Sequence, residues 1–227
     1  MANKKRVLVI GGVLLVAAGL GGWLLTGLSR PGGARLISPA PRVPPAIEFP
    51  QARGGKVAGG PFQLVDHKGR PVSDKDYRGR FMLIYFGYTH CPDVCPTDLQ
   101  SMSTAMEVLG DLGKWVQPLF ISFDPVRDTQ AVMADYVSNF HPRLLGLTGT
   151  KEQSLAAANS FDVDVSATYA ANDPEMGYSM NHSAFTYLAG PDGRVRMMFK
   201  DGLDGKTMAR FIHKAMRQEA AIGKDGG

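Results

Sequence analysis

Cys91 and Cys95 are the only cysteines of the chain, four residues apart in His90-Cys91-Pro92-Asp93-Val94-Cys95-Pro96. Two thiols at that spacing can close a short disulfide, attack another disulfide, or hold a soft metal ion. The preceding run Phe81 to Phe86 is β-branched and aromatic, and Gly87 breaks it. Pro96 suits the first helical position, where its missing N–H costs nothing. Both sulfurs therefore belong near a helix N-terminus, where backbone N–H groups and the helix dipole favour the thiolate. A purely structural disulfide is the plain alternative, but closing so short a loop constrains the unfolded chain little.

The elements that must position this pair follow from local pattern. Phe62 to Asp66 and Pro71 to Ser73 read as a hairpin around His67-Lys-Gly-Arg70. Phe81 to Phe86 and Val116 to Phe123 are continuous apolar runs of the kind buried in a sheet. Leu99, Met102, Met106 and Leu109 recur at helical spacing, and Thr129 to Phe140 places Val132, Met133, Tyr136, Val137 and Phe140 on one helical face. Thr150-Lys-Glu-Gln153 has the form of a capping box opening a helix to about Phe161. Ser183 to Ala189 and Val195 to Phe199 flank the turn Gly190-Pro-Asp-Gly193, and an amphipathic helix runs from about Gly205 to Arg217. Strands alternating with helices predict an α/β fold, a mixed central sheet with helices on both faces. A thiol pair at a strand-to-helix junction is the thioredoxin-like layout, with three intervening residues in place of two.

Residues 1 to 60 do not read as globular. Residues 1–6 carry Lys4, Lys5 and Arg6, and residues 7–28 follow without a charge, long enough to span a bilayer. The basic cluster predicts a cytoplasmic N-terminus and an uncleaved, single-pass anchor, with the remainder on the periplasmic or extracytoplasmic side of the inner membrane. Residues 29–60, rich in Pro and Gly, read as a tether with a reach of roughly 30 Å. A folded domain is expected over 61–217 and a flexible tail over 218–227. Residues 1–60 hold eight Lys or Arg against Glu48 alone, while the rest holds 17 basic and 20 acidic residues. The domain is slightly acidic, which gives nucleic acid no electrostatic hold.

Five blocks then occur in order: Pro61-Phe-x-Leu; Phe86-Gly-Tyr-Thr-His-Cys-Pro-Asp-Val-Cys-Pro96; Ser122-Phe-Asp124-Pro125-x-Arg127-Asp128-Thr129; Asn181-His182-Ser; and Gly190-Pro-Asp-Gly193. Together they resemble the Sco/SenC family of membrane-anchored copper proteins. The resemblance implies a thioredoxin-like domain in which Cys91, Cys95 and His182 bind copper, as Cu(I) and also as Cu(II), with His182 on the loop before the penultimate strand. Spacing alone does not select His182 among five histidines. His67 reads as a solvated turn residue, His141 as a capping or exposed residue, His213 as part of the last helix. His90 abuts Cys91, and adjacent side chains point apart. Met176 and Met180 precede His182, and thioethers could touch copper, although methionine more often fills core gaps. Asn181 stands where related sequences commonly carry an acid. The resemblance also marks Asp124 as a supporting residue, in partner contact or in organising the site. Asp128 reads as the N-cap of the helix from Thr129, Arg127 as the partner of an acid, and Asp93 as a shaper of the turn between the cysteines.

The function that follows is a copper metallochaperone serving the binuclear copper centre of a haem-copper respiratory oxidase. Its partners would be the copper-site subunit of that oxidase, a copper donor protein and the membrane. The alternative is a thiol:disulfide oxidoreductase acting on the same cysteines through Cys91 and Cys95, without need of a histidine. Redox or copper sensing by protein contact is a third reading. Zinc at such a site would lack an evident general base, and the paired thiols argue against a peroxidase.

Overall fold

In the computed structural model, residues 47–48, 59–169, 178–183 and 185–225 are described. The apolar run 7–28 and Met176 lie outside them. Among the described residues no helix is long and apolar enough to cross a membrane. The described residues all belong to the unit Val43–Gly227.

The unit is built on an eight-stranded mixed sheet in the order β1-β10-β9-β4-β5-β6-β2-β3. Its centre is β4 (Phe81–Gly87) and β5 (Val116–Ser122), paired in parallel from Phe81 opposite Val116 to Gly87 opposite Ser122. Every residue of both strands is buried, which requires cover on both faces. β6 (Leu145–Thr148) continues the parallel set beyond β5. The remaining pairings are antiparallel: β2 (Gln63–Asp66) with β6 and β3 (Pro71–Ser73), and β9 (Phe185–Ala189) with β4 and β10 (Val195–Lys200). β1 (Ile47–Glu48), in the segment read as tether, adds an edge strand beside β10.

α1 (Val94–Leu109) links β4 to β5 and packs along α4 (Gly205–Asp225), where Gly205 lies against Ser101 and Thr104 with no room for a Cβ. α4 continues eight residues beyond the expected end at Arg217, so most of the presumed flexible tail is helical. α2 (Gln130–Val137) rests Met133 and Val137 on Gly146 of β6, while Val132, expected on the buried face, is 37% exposed. Thr150 and Gln153 form the expected capping box of α3 (Lys151–Ser160). An element the local pattern did not predict is a separate two-stranded ribbon of β7 (Val165–Tyr169) and β8 (Tyr178–His182). It is this ribbon, and not a loop, that carries His182, opposite Val165.

Candidate metal centre

β4 carries the chain to the top of the sheet and stops at Gly87 because of what lies over it. A Cβ there would stand 2.9 Å from Cys95 Sγ and 2.9 Å from Phe120 Cε2, so the second thiol rests directly on the strand backbone. The chain then turns, with Cys91 N–H donating to the Tyr88 carbonyl at 3.3 Å, and enters α1 through Asp93 at the N-cap. Pro96 occupies the third helical position, not the first, which draws Cys95 into the first turn. Both cysteines are thiols; Cys91 is half-buried and Cys95 is fully buried. Cys95 N–H donates to Cys91 Sγ at 3.5 Å, which orients the two sulfurs together.

The expected lowering of the thiol pKa is not what this geometry gives Cys95. Its hydrogen bond with the Cys91 thiol, and then its burial, push it far above the ordinary thiol range, and these outweigh the Tyr88 backbone bond and the Tyr85 hydroxyl that act the other way. A helix N-terminus helps only a sulfur that can keep its charge solvated. Cys91 is thus the accessible thiol of the pair, backed by a sulfur that stays protonated until something removes its proton.

Asp128 is not the N-cap of α2. Thr129 caps that helix, accepting from Val132 N–H at 3.4 Å. Asp128 is instead fully buried, accepting from the Thr89 and Ser122 hydroxyls at 2.6 and 2.5 Å and from Thr89 N–H at 3.1 Å, which ties the turn before Cys91 to the end of β5. Desolvation raises its pKa against the pull of these bonds. His90 sits at the edge of this lock, its Nδ1 3.1 Å from the Thr89 hydroxyl, its ring 53% exposed and 3.9 Å from the Asp128 carboxylate.

A second lock brings the ribbon to the thiols. Arg127 grips Asp124 through Nε and Nη2, both at 2.5 Å, and sends Nη1 to the Tyr178 carbonyl at 2.9 Å. Its guanidinium stacks 3.8 Å from the Tyr178 ring centroid and lies 5.5 Å from that of Tyr88. The Tyr178 hydroxyl donates to Asp124 at 2.6 Å, and Met180 N–H donates to the Tyr88 hydroxyl at 3.2 Å. Asp124 is only 3% exposed, so it organises β8 and has almost no surface for a partner. His182 follows Met180 by two residues, roughly 7 Å along the strand, and β9 then re-enters the sheet with Thr186 opposite Tyr85. His182 is therefore delivered to the end of the sheet that holds the cysteines, although its side chain lies outside the described residues.

The other histidines sit elsewhere. His67 is not simply solvated: its Nδ1 accepts from Gly146 N–H at 3.1 Å, and partial burial lowers its pKa. His141 Nδ1 accepts from Arg143 N–H at 3.2 Å, and His213 is on α4. Met180 packs its side chain against the core. Among the described residues there is no cluster of three His, Cys, Asp or Glu arranged around one point. Among the described side chains, the two thiols mark the centre. Soft sulfurs without a converging carboxylate suit Cu(I) better than a hard cation. Two residues that hold the centre together were not singled out in the sequence: Tyr88, whose hydroxyl accepts from Met180 N–H, and Tyr178, which bonds Asp124 from 54 residues away.

A family model described as SCO1/SenC matches residues 50–217. The chain is 40% identical over 221 residues to the bovine mitochondrial SCO2 homolog, covering 96% of this chain and 76% of that protein. It is 44% identical over 166 residues to the human mitochondrial SCO1 homolog, covering 72% of this chain and 54% of that one, so it spans just over half of that relative. Among solved structures, Bradyrhizobium japonicum ScoI with copper bound superposes with a TM-score of 0.63 at 39% identity, covering 69% of this chain and 98% of that chain.

Proposed function

The chain belongs to the SCO1/SenC family, and on that footing we propose that it is a copper metallochaperone whose site is Cys91, Cys95 and His182. The observation that carries the reading is the thiol pair at the head of α1, one sulfur accessible and one buried against Gly87, with β8 locked over the same end of the sheet by Arg127, Asp124 and Tyr178. The solved relative with copper bound supports it. Copper here is cargo. The half-buried Cys91 meets it first, Cys95 completes a two-sulfur grip, and the imidazole on β8 closes a three-coordinate site that excludes harder ions. An exposed rim of this kind allows ligand exchange with a partner, and the recipient we propose is the binuclear copper centre of a haem-copper respiratory oxidase. An anchor over residues 7–28 would hold the domain at the outer face of the inner membrane, within reach of that recipient.

Cu(I) titration of the reduced protein against a competing chelator tests the site. Cys91→Ser, Cys95→Ser and His182→Ala should each weaken binding, and unchanged affinity in any of the three removes that residue from the site. The reductase reading rests on the same accessible Cys91 with a resolving sulfur bonded behind it. His182→Ala separates the two: if copper binding is lost while oxidase assembly persists, the thiols act as a reductase.

A further inference from the structure

The end of the sheet away from the thiols carries an apolar cavity with a basic rim. Phe81 opens β4 and Gly87 closes it, so Phe81 lies about 20 Å down the strand from the cysteine end. It is one wall of a cavity of about 400 Å³ shared with Leu112, Trp115, Pro191 and Met216. Apolar side chains at this end are left in water: Trp115 is 51% exposed and Leu112 38%, with Val108 at 52% on the last turn of α1. These three are half of the large apolar side chains exposed among the described residues, and they fall within eight positions of sequence. Apolar surface gathered in this way marks a binding face.

A groove on α4 opens beside the cavity and shares His213 and Arg217 with it. Arg210, His213, Lys214 and Arg217 stand at i, i+3, i+4 and i+7, on one face of the helix, and all are exposed. Among the described residues no acid pairs with Arg210, Lys214 or Arg217, and Glu219, at the cavity, is already held by Arg196 at 3.0 Å. Lys114 adds a further cation 5.8 Å from the Trp115 ring centroid. From residue 61 onward the chain has more acids than bases, yet here it sets unpaired cations around an apolar mouth.

We propose that this face docks on the surface of an anionic phospholipid bilayer, with Trp115, Leu112 and Val108 entering the headgroup region and Arg210, Lys214 and Arg217 meeting lipid phosphates. The inference rests on the anchor over residues 7–28, which would hold the domain beside a bilayer. Charge complementarity selects the occupant: anionic headgroups present negative charge over an apolar layer, and this face presents cations around an apolar mouth. Tryptophan suits that boundary because its ring is apolar and its N–H is not. A second copy seated here on a two-fold contact would set the cationic stripes against each other. The 18 residues between residue 28 and Ile47 reach about 60 Å when extended, so the tether permits the orientation. Docking by this face holds the thiol end of the sheet away from lipid, open to a partner.

The chain has two tryptophans, Trp23 and Trp115, so Trp23→Phe leaves Trp115 as a single reporter. The full-length variant is reconstituted into vesicles whose acyl chains carry bromine, which quenches tryptophan on contact. One set is phosphatidylcholine alone, the other phosphatidylcholine and phosphatidylglycerol in equal parts. In low salt, quenching of Trp115 should be at least about twofold greater in the anionic set. It should fall to the neutral level in high salt, or when Arg210→Gln, Lys214→Gln and Arg217→Gln are combined; the salt arm needs no charge variant to fold. Equal quenching in the two sets, or none in either, overturns the inference. Absence of quenching together with a shift of Trp115 emission by polyglutamate assigns the face to an acidic protein instead. Alkaline carbonate separates the two readings: a chain that it strips from the vesicles lacks the anchor, whereas an embedded chain with unquenched Trp115 refutes the docking face alone.

Discussion

Arg127→Lys separates the lock on β8 from the thiols it serves. Lysine keeps the charge and can pair with Asp124, which avoids stranding a carboxylate that is 3% exposed. It loses the fork, the bond from Nη1 to the Tyr178 carbonyl at 2.9 Å, and the stack 3.8 Å from the Tyr178 ring. A hydrogen bond from a charged donor contributes about 1.5–3 kcal/mol, and a desolvated cation–π contact about 2 kcal/mol. Lysine recovers part of both, leaving a loss of about 2–3 kcal/mol. That loss falls on docking of the ribbon and not on the core, since Arg127 reaches the ribbon through Tyr178. At about 1.4 kcal/mol per tenfold, the undocked fraction should rise about 30- to 140-fold. Hydrogen exchange at the amides of Tyr178 to Ser183 reports it, with those of β4 as the unchanged control.

Copper affinity should fall by less than exchange rises, because affinity scales with the fraction of docked ribbon and stays near its maximum until that fraction drops well below one. Adding Cu(I) should restore protection to the ribbon, because a ligand on β8 re-docks it. An exchange increase under about threefold would refute the lock, since less than 1 kcal/mol would then have been lost. Raised exchange that Cu(I) does not reverse would remove His182 from the site while leaving the lock intact.

Three further outcomes follow from the same geometry. Gly87→Ala places a Cβ 2.9 Å from Cys95 Sγ and 2.9 Å from Phe120 Cε2, so it should cost about 1–3 kcal/mol by overpacking and weaken copper binding; a variant neutral in both thermal denaturation and chelator competition contradicts the tight seating of the second sulfur. A maleimide should label Cys91 at least about tenfold faster than Cys95 at pH 7, because one sulfur is half-buried and the other fully buried and raised in pKa; mass spectrometry of the labelled peptides checks the order. Asp98→Asn should stabilise the metal-free fold at pH 7 by about 2–3 kcal/mol, the raised pKa of about 6 against 3.8 converted at 1.36 kcal/mol per unit. The native state binds the extra proton between those values, so the wild type loses this stability as pH rises through about 4 to 6, and the gap between the two proteins in urea melts should close at pH 4.

What local pattern can reveal and what it cannot are divided here by sequence distance. The apolar run ending at Gly87, the turn around Gly190-Pro-Asp-Gly193 and the capping box at Thr150 each declare themselves within a few residues, and the strands, the hairpin and α3 formed where they were expected. Asp128 was misjudged because capping is the local role of an Asp before a helix, whereas its actual partner Thr89 lies 39 residues away. The ribbon was missed because neither strand has enough apolar alternation to be read alone; β8 is held by Tyr88, 92 residues before Met180, and by Asp124, 54 before Tyr178. Asp98 gave no signal in the sequence; its burial comes from α4 and from the Gly202 turn, whose N–H bonds its carboxylate. The residues that do chemistry were legible by type and spacing. Those that set how the chemistry proceeds were not, since a buried acid or a long-range clamp acquires its property only from the elements folded around it.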